Sequence, residues 1–455
     1  MNTNPFARPY RALTVGMVAL VSLTAFEAVA VTTVMPTVAR ALHGLALYAL
    51  AFGGALAAGI VGLVVGGAQS DRKGPVRPLW IGTGCFVAGL LISGLAPQMW
   101  VLIVGRVTMG FGGGLLTVAL YVVVGHVYPA ALHPRVFAAF AGGWVVPVIV
   151  GPLLAGLVAQ HAGWRWVFLG VVALTVPSLA LVVPALGAVQ PRPGAEVTRS
   201  SSTKWAVGTA IGAGLLYVGG QQGGLNAALL MAAAIVVLVV CAPKLLPAGT
   251  FAARPGLPSV IGLRGLAGAA FVQADVFLPL MLTRERGFSP SEAGLTVTAS
   301  GLAWFLGSWF QGRAGQKIAP ERRLQLGLAL IAVGVVTAAL CVAPAVPVWV
   351  CVVGWGAGGL GMGIIYPTLS TLTLALSPPA EQGANSSALQ LADFLLSSAV
   401  LAVGGSLFAL LVARSAPAAY LAGYGTAELL ALVGVLVAAF RLTAGEPLPA
   451  GSLRS

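Results

Sequence analysis

FEAVAVTTVMP, residues Phe26–Pro36, contains a single glutamate, Glu27, within an otherwise apolar run that extends from Leu13 to Val38. A run of about 26 residues is long enough to cross a bilayer as a helix. A carboxylate in hydrocarbon costs at least a few kcal/mol, so acids in such helices normally face a bundle interior or a water-filled cavity. We therefore predict a membrane-spanning first helix with a functional acid near its middle.

The composition extends this prediction to the whole chain. Hydrophobic residues make up 58% of it and charged residues 8%, which is about a third of the share in a soluble domain. The 61 glycines agree with helices that pack backbone to backbone in a bilayer. The four cysteines fall in apolar runs without CxxC or other metal spacing, so we expect no metal site and no cofactor. These features predict an all-α polytopic membrane protein.

Apolar runs predict fourteen membrane-spanning helices, grouped as six, two and six. We expect residues 1–189 to form an N-terminal six-helix bundle and residues 190–258 to form a cytoplasmic linker with two extra helices. Residues 259–455 would form a C-terminal six-helix bundle and a short cytoplasmic tail. The extra pair either spans the bilayer or forms a re-entrant hairpin, and both options return the chain to the side on which it started.

The basic residues indicate the orientation. With a cytoplasmic N-terminus, most of the 24 lysines and arginines fall in cytoplasmic segments, and Arg264 is counted among them. This positive-inside bias predicts that both termini are cytoplasmic. It also accounts for the net charge of +13 without a nucleic-acid partner.

An internal repeat relates the two halves. Gly67–Arg77 aligns without gaps with Gly312–Arg322, although Gln316 stands where the first copy has Asp71. Both segments join the second and third helices of a six-helix half. Two halves related by a repeat are typical of secondary transporters, whose substrate sites lie near the bilayer midplane.

Gly67–Arg77 resembles the helix 2–3 signature Gly-x-x-x-Asp-Arg-x-Gly-x-x-Arg of the major facilitator superfamily, and the whole chain resembles its fourteen-helix drug–proton antiporter branch. The resemblance implies a cytoplasmic gate in this segment. Asp71 could cap a helix N-terminus or pair with a neighbouring arginine. The alternative is a basic turn that only anchors topology. The matching residues are Gly67, Asp71, Arg72, Gly74 and Arg77.

The segment from Arg106 to Gly114 resembles the helix 4 motif of this family. At about 1.5 Å per residue, Glu27 lies roughly 21 Å from the inner end of its helix, and Arg106 lies roughly 9 Å from the outer end of its own. In a hydrocarbon core about 30 Å thick these depths coincide, so a Glu27–Arg106 pair is geometrically allowed. The alternative is that Arg106 snorkels to the outer surface.

The fifth predicted helix resembles the antiporter motif Gly-x-x-x-Gly-Pro-x-x-Gly-Gly. The motif positions are Pro147, Gly151, Pro152, Ala155 and Gly156, and the sequence departs from it at Pro147 and Ala155, where glycines are usual. The resemblance implies a flexible, leak-tight seal that favours exchange. Ordinary Gly/Pro packing is the alternative.

Two further acids and several aromatics lie within apolar runs. Asp275 is nearly equivalent to Glu27 in the repeat and lies close to its level, so one acid could carry a proton while the other meets a cation. Asp393 lies about 10 Å from the inner face, where it could simply be hydrated. Five aromatics either face a substrate cavity or only pack between helices. They are Trp144, Phe271, Trp304, Trp355 and Tyr366.

No phosphate loop GxxxxGK[ST] or hydrolase triad is present, so we expect neither an enzyme nor an ATP-driven pump. The resemblance implies proton-coupled efflux of lipophilic or cationic drugs from the plasma membrane by alternating access, and with it antibiotic resistance. The expected partners are protons, a small-molecule substrate and lipid. A lipid or metabolite exporter on the same fold and a non-transporting sensor are the alternatives. The residues expected to couple protons are Glu27, Asp275, Arg106 and Asp393.

Overall fold

The computed structural model of the chain describes residues 4–44, 47–186, 202–219, 224–288, 290–313, 317–412 and 414–441. Fourteen α-helices and two short 3₁₀ turns make up the regular structure of these residues, which include no strand. The helices are α1 (Arg11–Ala41), α2 (Tyr48–Lys73), α3 (Val76–Gly94), α4 (Met99–Val127), α5 (His133–His161), α6 (Arg165–Leu186), α7 (Ser202–Gly219), α8 (Gly224–Cys241), α9 (Leu257–Glu285), α10 (Pro290–Gly312), α11 (Pro320–Leu340), α12 (Val348–Leu376), α13 (Gln382–Val412) and α14 (Ala416–Phe440).

Twelve helices of the described residues are long and apolar enough to cross a membrane. The two that fall short are α7 and α10. The first is rich in glycine and begins Ser-Thr-Lys, and the second carries Glu292 with several serines and threonines. The prediction of a polytopic all-α chain is confirmed, and the predicted fourteen spans are supported for twelve helices.

The packing divides the chain into two compact units. The first contains Met1–His133, Val146–Pro247 and Ser377–Leu391. In it α4 packs along α2 and α3, α1 packs against α6, and α7 packs on α2 and pairs with α8. Glycines allow α2 and α4 to approach closely, since a Cβ on Gly114 would lie 2.7 Å from the Leu63 nitrogen. The extra helix pair is therefore part of the first unit.

The second unit contains Pro134–Val145, Ala248–Leu376 and Ala392–Ser455. In it α12 packs along α10 and α11, and α9 packs against α14 and α12. The relation of α12 to α10 and α11 repeats that of α4 to α2 and α3. The helix packing thus follows the repeat seen in the sequence. Gln316, the degenerate position of the second copy, lies outside the described residues.

Candidate functional site

Glu27 and Arg106 form a buried ion pair between α1 and α4. Only 9% of Glu27 and 6% of Arg106 is exposed, and the Nη1 of Arg106 donates to the Oε1 of Glu27. The burial excludes the alternative in which Arg106 snorkels to the outer surface. Since an unpaired charge in such a place is heavily penalised, each group stabilises the other.

Helix α2 holds Arg106 from a second direction. Its Nε donates to the carbonyl oxygen of Ala51 at 3.3 Å, and its guanidinium lies 5.6 Å from the ring centroid of Phe52. That distance is within the range of a cation–π contact. Helices α1 and α2 therefore both hold Arg106 of α4. Nothing in the sequence indicated the two α2 residues, because neither is charged.

Asp275 occupies the corresponding place in the second unit, but its partner is neutral. The indole Nε1 of Trp355 donates to Asp275 Oδ1 at 3.1 Å, across α9 and α12. Trp355 is fully buried and Asp275 is partly buried. In each unit, an acid on the first helix of a six-helix half therefore accepts a hydrogen bond from a residue on the fourth helix of that half. Trp355 occupies nearly the position in the second half that Arg106 occupies in the first.

Four of the five predicted aromatics form one cluster around this acid. Phe271 stacks on Trp355 with ring centroids 4.7 Å apart, and Trp304 meets Phe271 edge-on at 5.5 Å. Tyr366 in turn meets Trp304 at 5.1 Å. Phe271 and Trp355 are buried against each other, so the packing interpretation describes these two. Trp144 on α5 is 47% exposed.

Asp393 on α13 lies in a second ion pair at one end of this cluster. Arg264 Nε donates to Asp393 Oδ2 at 3.0 Å, and the Tyr366 hydroxyl donates to Oδ1 at 3.0 Å. The guanidinium lies 3.3 Å from the Tyr366 ring centroid. The interpretation of Asp393 as simply hydrated is wrong, because both of its oxygens are bonded to side chains.

The sequence places Arg264 among the cytoplasmic charges, and the structure shows that this residue is buried with partners. It lies within α9 and is 4% exposed, buried by its contacts with Asp393 and Tyr366. A usable signal was present in the sequence, since Arg264 lies well inside an apolar run, as Arg106 does.

The helix 2–3 segment places Asp71 at the start of α13. Its carboxylate accepts from the backbone nitrogens of Gly383 at 2.6 Å and Ala384 at 2.8 Å. These two bonds form a helix cap, which satisfies amides of the first turn and places a negative charge at the positive end of the helix dipole. Gly67 permits the approach, since a Cβ there would lie 2.7 Å from the Gly383 oxygen.

The remaining residues of this segment form the turn. Gly74 has a φ of 77°, which favours glycine, and it directly separates α2 from α3. Arg72 and Arg77 are exposed at the two helix ends. Their position agrees with the topological anchoring that the sequence also allowed.

The helix 5 motif contacts α1 beside Glu27. A Cβ on Gly151 would lie 3.6 Å from side-chain carbons of Phe26 and Val29, an ordinary van der Waals distance. Pro147 is buried and Pro152 is exposed, both within an unbroken α5. A Cβ on Gly156 would meet none of the described residues within 4 Å. Gly151 therefore lies near α1 but leaves room for a side chain, and neither motif glycine makes the close approach that the motif predicts among the described residues.

The sequence profile of the Major Facilitator Superfamily matches residues 17–399 and again 260–453. A probable multidrug-efflux transporter of Mycobacterium tuberculosis is 27% identical over 382 residues, which cover 80% of each chain. The multidrug efflux pump SdrM of Staphylococcus aureus is 21% identical over 299 residues, covering 64% of this chain and 66% of the pump.

Solved structures of transporters share the fold. The human organic anion transporter MFSD10 superposes with a TM-score of 0.69 at 12% identity, covering 95% of this chain and 100% of that one. A bacterial homologue of the iron transporter ferroportin superposes with a TM-score of 0.67 at 13% identity, covering 94% and 98%. The chain therefore belongs to the Major Facilitator Superfamily, whose members are multi-pass membrane carriers and not enzymes.

Proposed function

We propose that the protein exports lipophilic or cationic small molecules in exchange for protons, by alternating access. The observation that carries this proposal is the pair of matched acids: Glu27 bonded to Arg106 in one unit and Asp275 bonded to Trp355 in the other. The relatives named multidrug-efflux transporters support the substrate class. Ionisable groups at such depth in apolar helices are expected on ion and substrate pathways.

Glu27 is the group that meets a cationic substrate. Its carboxylate already binds one cation, Arg106, so an incoming cation competes with that guanidinium for the same oxygens. When displaced, Arg106 can keep the Ala51 carbonyl on α2 as a partner. The exchange therefore replaces one ion pair of Glu27 by another.

Asp275 is the group that carries the exchanged proton. Its hydrogen-bonding partner, the Trp355 indole, is neutral, so a proton on the carboxyl removes the charge of that site. A proton on Glu27 would also separate Arg106 from its counter-charge, but no new ion pair would form in exchange. The cost of uncompensated charge in a low-dielectric interior thus favours proton exchange at Asp275 and cation exchange at Glu27.

The ion pair of Asp393 and Arg264 contributes to the same coupling from α13. The carboxylate of Asp393 accepts a hydrogen bond from Tyr366, which is the last member of the aromatic cluster that begins beside Asp275. A change in the charge of Asp393 would release Arg264 from α13. We propose that this pair transmits proton exchange to the position of α13.

The cap of α13 by Asp71 acts as the cytoplasmic gate in this proposal. Two charge-assisted hydrogen bonds and the contact of Gly67 with Gly383 hold the end of α2 against the start of α13. Gly151 seals α5 against α1 beside Glu27. In the complete proposal α7 and α10 also cross the plasma membrane, giving fourteen spans with both termini cytoplasmic.

Inside-out vesicles that contain the full chain test this function. An imposed proton gradient should drive the uptake of ethidium, a lipophilic cation, and Glu27→Gln should abolish it at equal expression. Glu321→Gln, the same change in the first turn of α11, is the matched control and should retain uptake. Full proton-driven uptake by Glu27→Gln would refute the assignment. Lipid flipping without ethidium uptake would instead support the lipid-exporter alternative.

A further inference from the structure

The extra helix α7 reaches the Glu27–Arg106 pair through one residue of α2. Phe52 lies between the two elements: its ring centroid is 6.5 Å from that of Tyr217 on α7, with the planes 30° apart, and 5.6 Å from the Arg106 guanidinium. Both distances lie within the ranges of the corresponding aromatic and cation–π contacts. A continuous row of side chains thus joins α7 to Glu27.

The α2 backbone is shaped for this contact. A Cβ on Gly53 would lie 2.9 Å from Cδ1 of Tyr217, so the absence of a side chain there lets the tyrosine ring lie on α2. The preceding residues, Ala51 and Phe52, both contact Arg106. Ala51 and Phe52 therefore contact Arg106, while Phe52 and Gly53 lie against Tyr217.

We propose that Tyr217 is a positioning residue, which holds Arg106 against Glu27 through the ring of Phe52. The extra helix pair thereby sets how readily a cation displaces Arg106, and it is part of the coupling machinery. The inference rests on the proposed function, because it assigns α7 a role at the site where that function places the substrate cation. Simple packing of α7 on α2 is the competing explanation.

Ethidium binding to the purified full chain separates the two explanations. If Tyr217 holds Arg106 in place through Phe52, Tyr217→Ala should free Arg106 to leave Glu27 and raise ethidium affinity about threefold, the change expected from the loss of one aromatic pair. Tyr217→Phe keeps the ring and should match the wild type. Ile211→Ala removes an exposed apolar side chain from the same helix and is the matched control. A packing defect alone would leave affinity unchanged or lower it.

Two further comparisons test the route of the effect. Gly53→Ala, which displaces the Tyr217 ring, should raise affinity as Tyr217→Ala does, and the double variant should gain no more than either. In a Glu27→Gln background, Tyr217→Ala should produce no gain. A gain that persists without Glu27, or additive gains at positions 53 and 217, would overturn the proposal.

Thermal unfolding tests the coupling of Tyr217 to Arg106 without relying on the proposed transport function. The effects of Tyr217→Ala and Arg106→Lys on the unfolding midpoint should be non-additive, since residues coupled through a shared neighbour show interaction energies in double-mutant cycles. If the wild type binds no ethidium, the proposed function fails for this cation. The double-mutant cycle of Tyr217 and Arg106 then decides by itself whether the two residues are coupled. Additive midpoint shifts would overturn the role of Tyr217.

Discussion

The first and second units place an acid in the same relation to their helices, but they give it different partners. Glu27 on α1 is bonded to a cation from α4, whereas Asp275 on α9 is bonded to a neutral indole from α12. The arrangement of the acid and its donor is repeated in the two units, but the positive charge of the donor is not. A duplicated fold has therefore produced one site that is balanced when its acid is charged and one that is balanced when its acid is neutral.

This difference suggests how two carboxyls in one carrier divide their work. Exchange of one cation for another conserves charge at Glu27, and exchange of a proton changes it at Asp275. In the proposed antiport, Glu27 would bind the substrate cation and Asp275 would carry the proton. In the first unit, the neutral side chains of Phe52 and Tyr217 lie behind Arg106. In the second unit, an aromatic cluster extends from Asp275 to the Arg264–Asp393 pair.

The largest expected effect on stability comes from removing the cation of the Glu27–Arg106 pair. Arg106→Gln leaves Glu27 as a buried carboxylate without its cation, and we expect a loss of roughly 3–5 kcal/mol in unfolding free energy. The double variant Glu27→Gln/Arg106→Gln should recover most of this loss, because neither remaining group is charged. Denaturant or thermal unfolding in detergent measures both. A double variant as unstable as the single one would contradict the charge argument.

A smaller effect is expected at the neutral site. Trp355→Phe removes the donor to Asp275 and should cost about 1–3 kcal/mol, the range for a buried acceptor that loses its partner. Because no ionic partner is removed, the loss should stay below that of Arg106→Gln. Unfolding under the same conditions gives the comparison. Equal losses at the two sites would mean that the partner's charge does not distinguish them.

The smallest effect concerns the end of the aromatic cluster. Tyr366→Phe removes one hydrogen bond to Asp393 but keeps the ring beneath Arg264, so we expect a cost of about 0.5–1.5 kcal/mol. Arg264→Lys should cost more, since the lysine ammonium lacks the planar fork that stacks on the ring. The same unfolding assay tests this order. The reverse order would show that the hydroxyl, and not the guanidinium, holds α13 here.

The sequence predicted the charged site better than the neutral one for a physical reason. A charge within an apolar run is costly and needs a partner, so the depths of Glu27 and Arg106 were enough to suggest their pairing. Trp355 and Phe52 carry no such signal, because aromatic residues in apolar runs most often only pack. Their roles emerged only when the helices were placed in contact.

The same reasoning explains the corrections. Hydration was a reasonable alternative for Asp393 in the sequence, and only the contact of Arg264 Nε with Asp393 Oδ2 shows that the two residues pair. The helix count depends on apolar length, and α7 and α10 are the helices whose composition falls short. The Asp71 cap was among the predicted options, but its target, the start of α13, could not be read from the sequence.

The most direct test of the division between the two acids counts protons and ethidium in one experiment. Purified protein in weakly buffered solution is titrated with ethidium while a pH dye reports proton release. We predict that the wild type releases protons on binding, that Asp275→Asn binds ethidium without release, and that Glu27→Gln binds ethidium weakly. Proton release that survives Asp275→Asn and disappears in a Glu27→Gln variant of normal affinity would contradict the account.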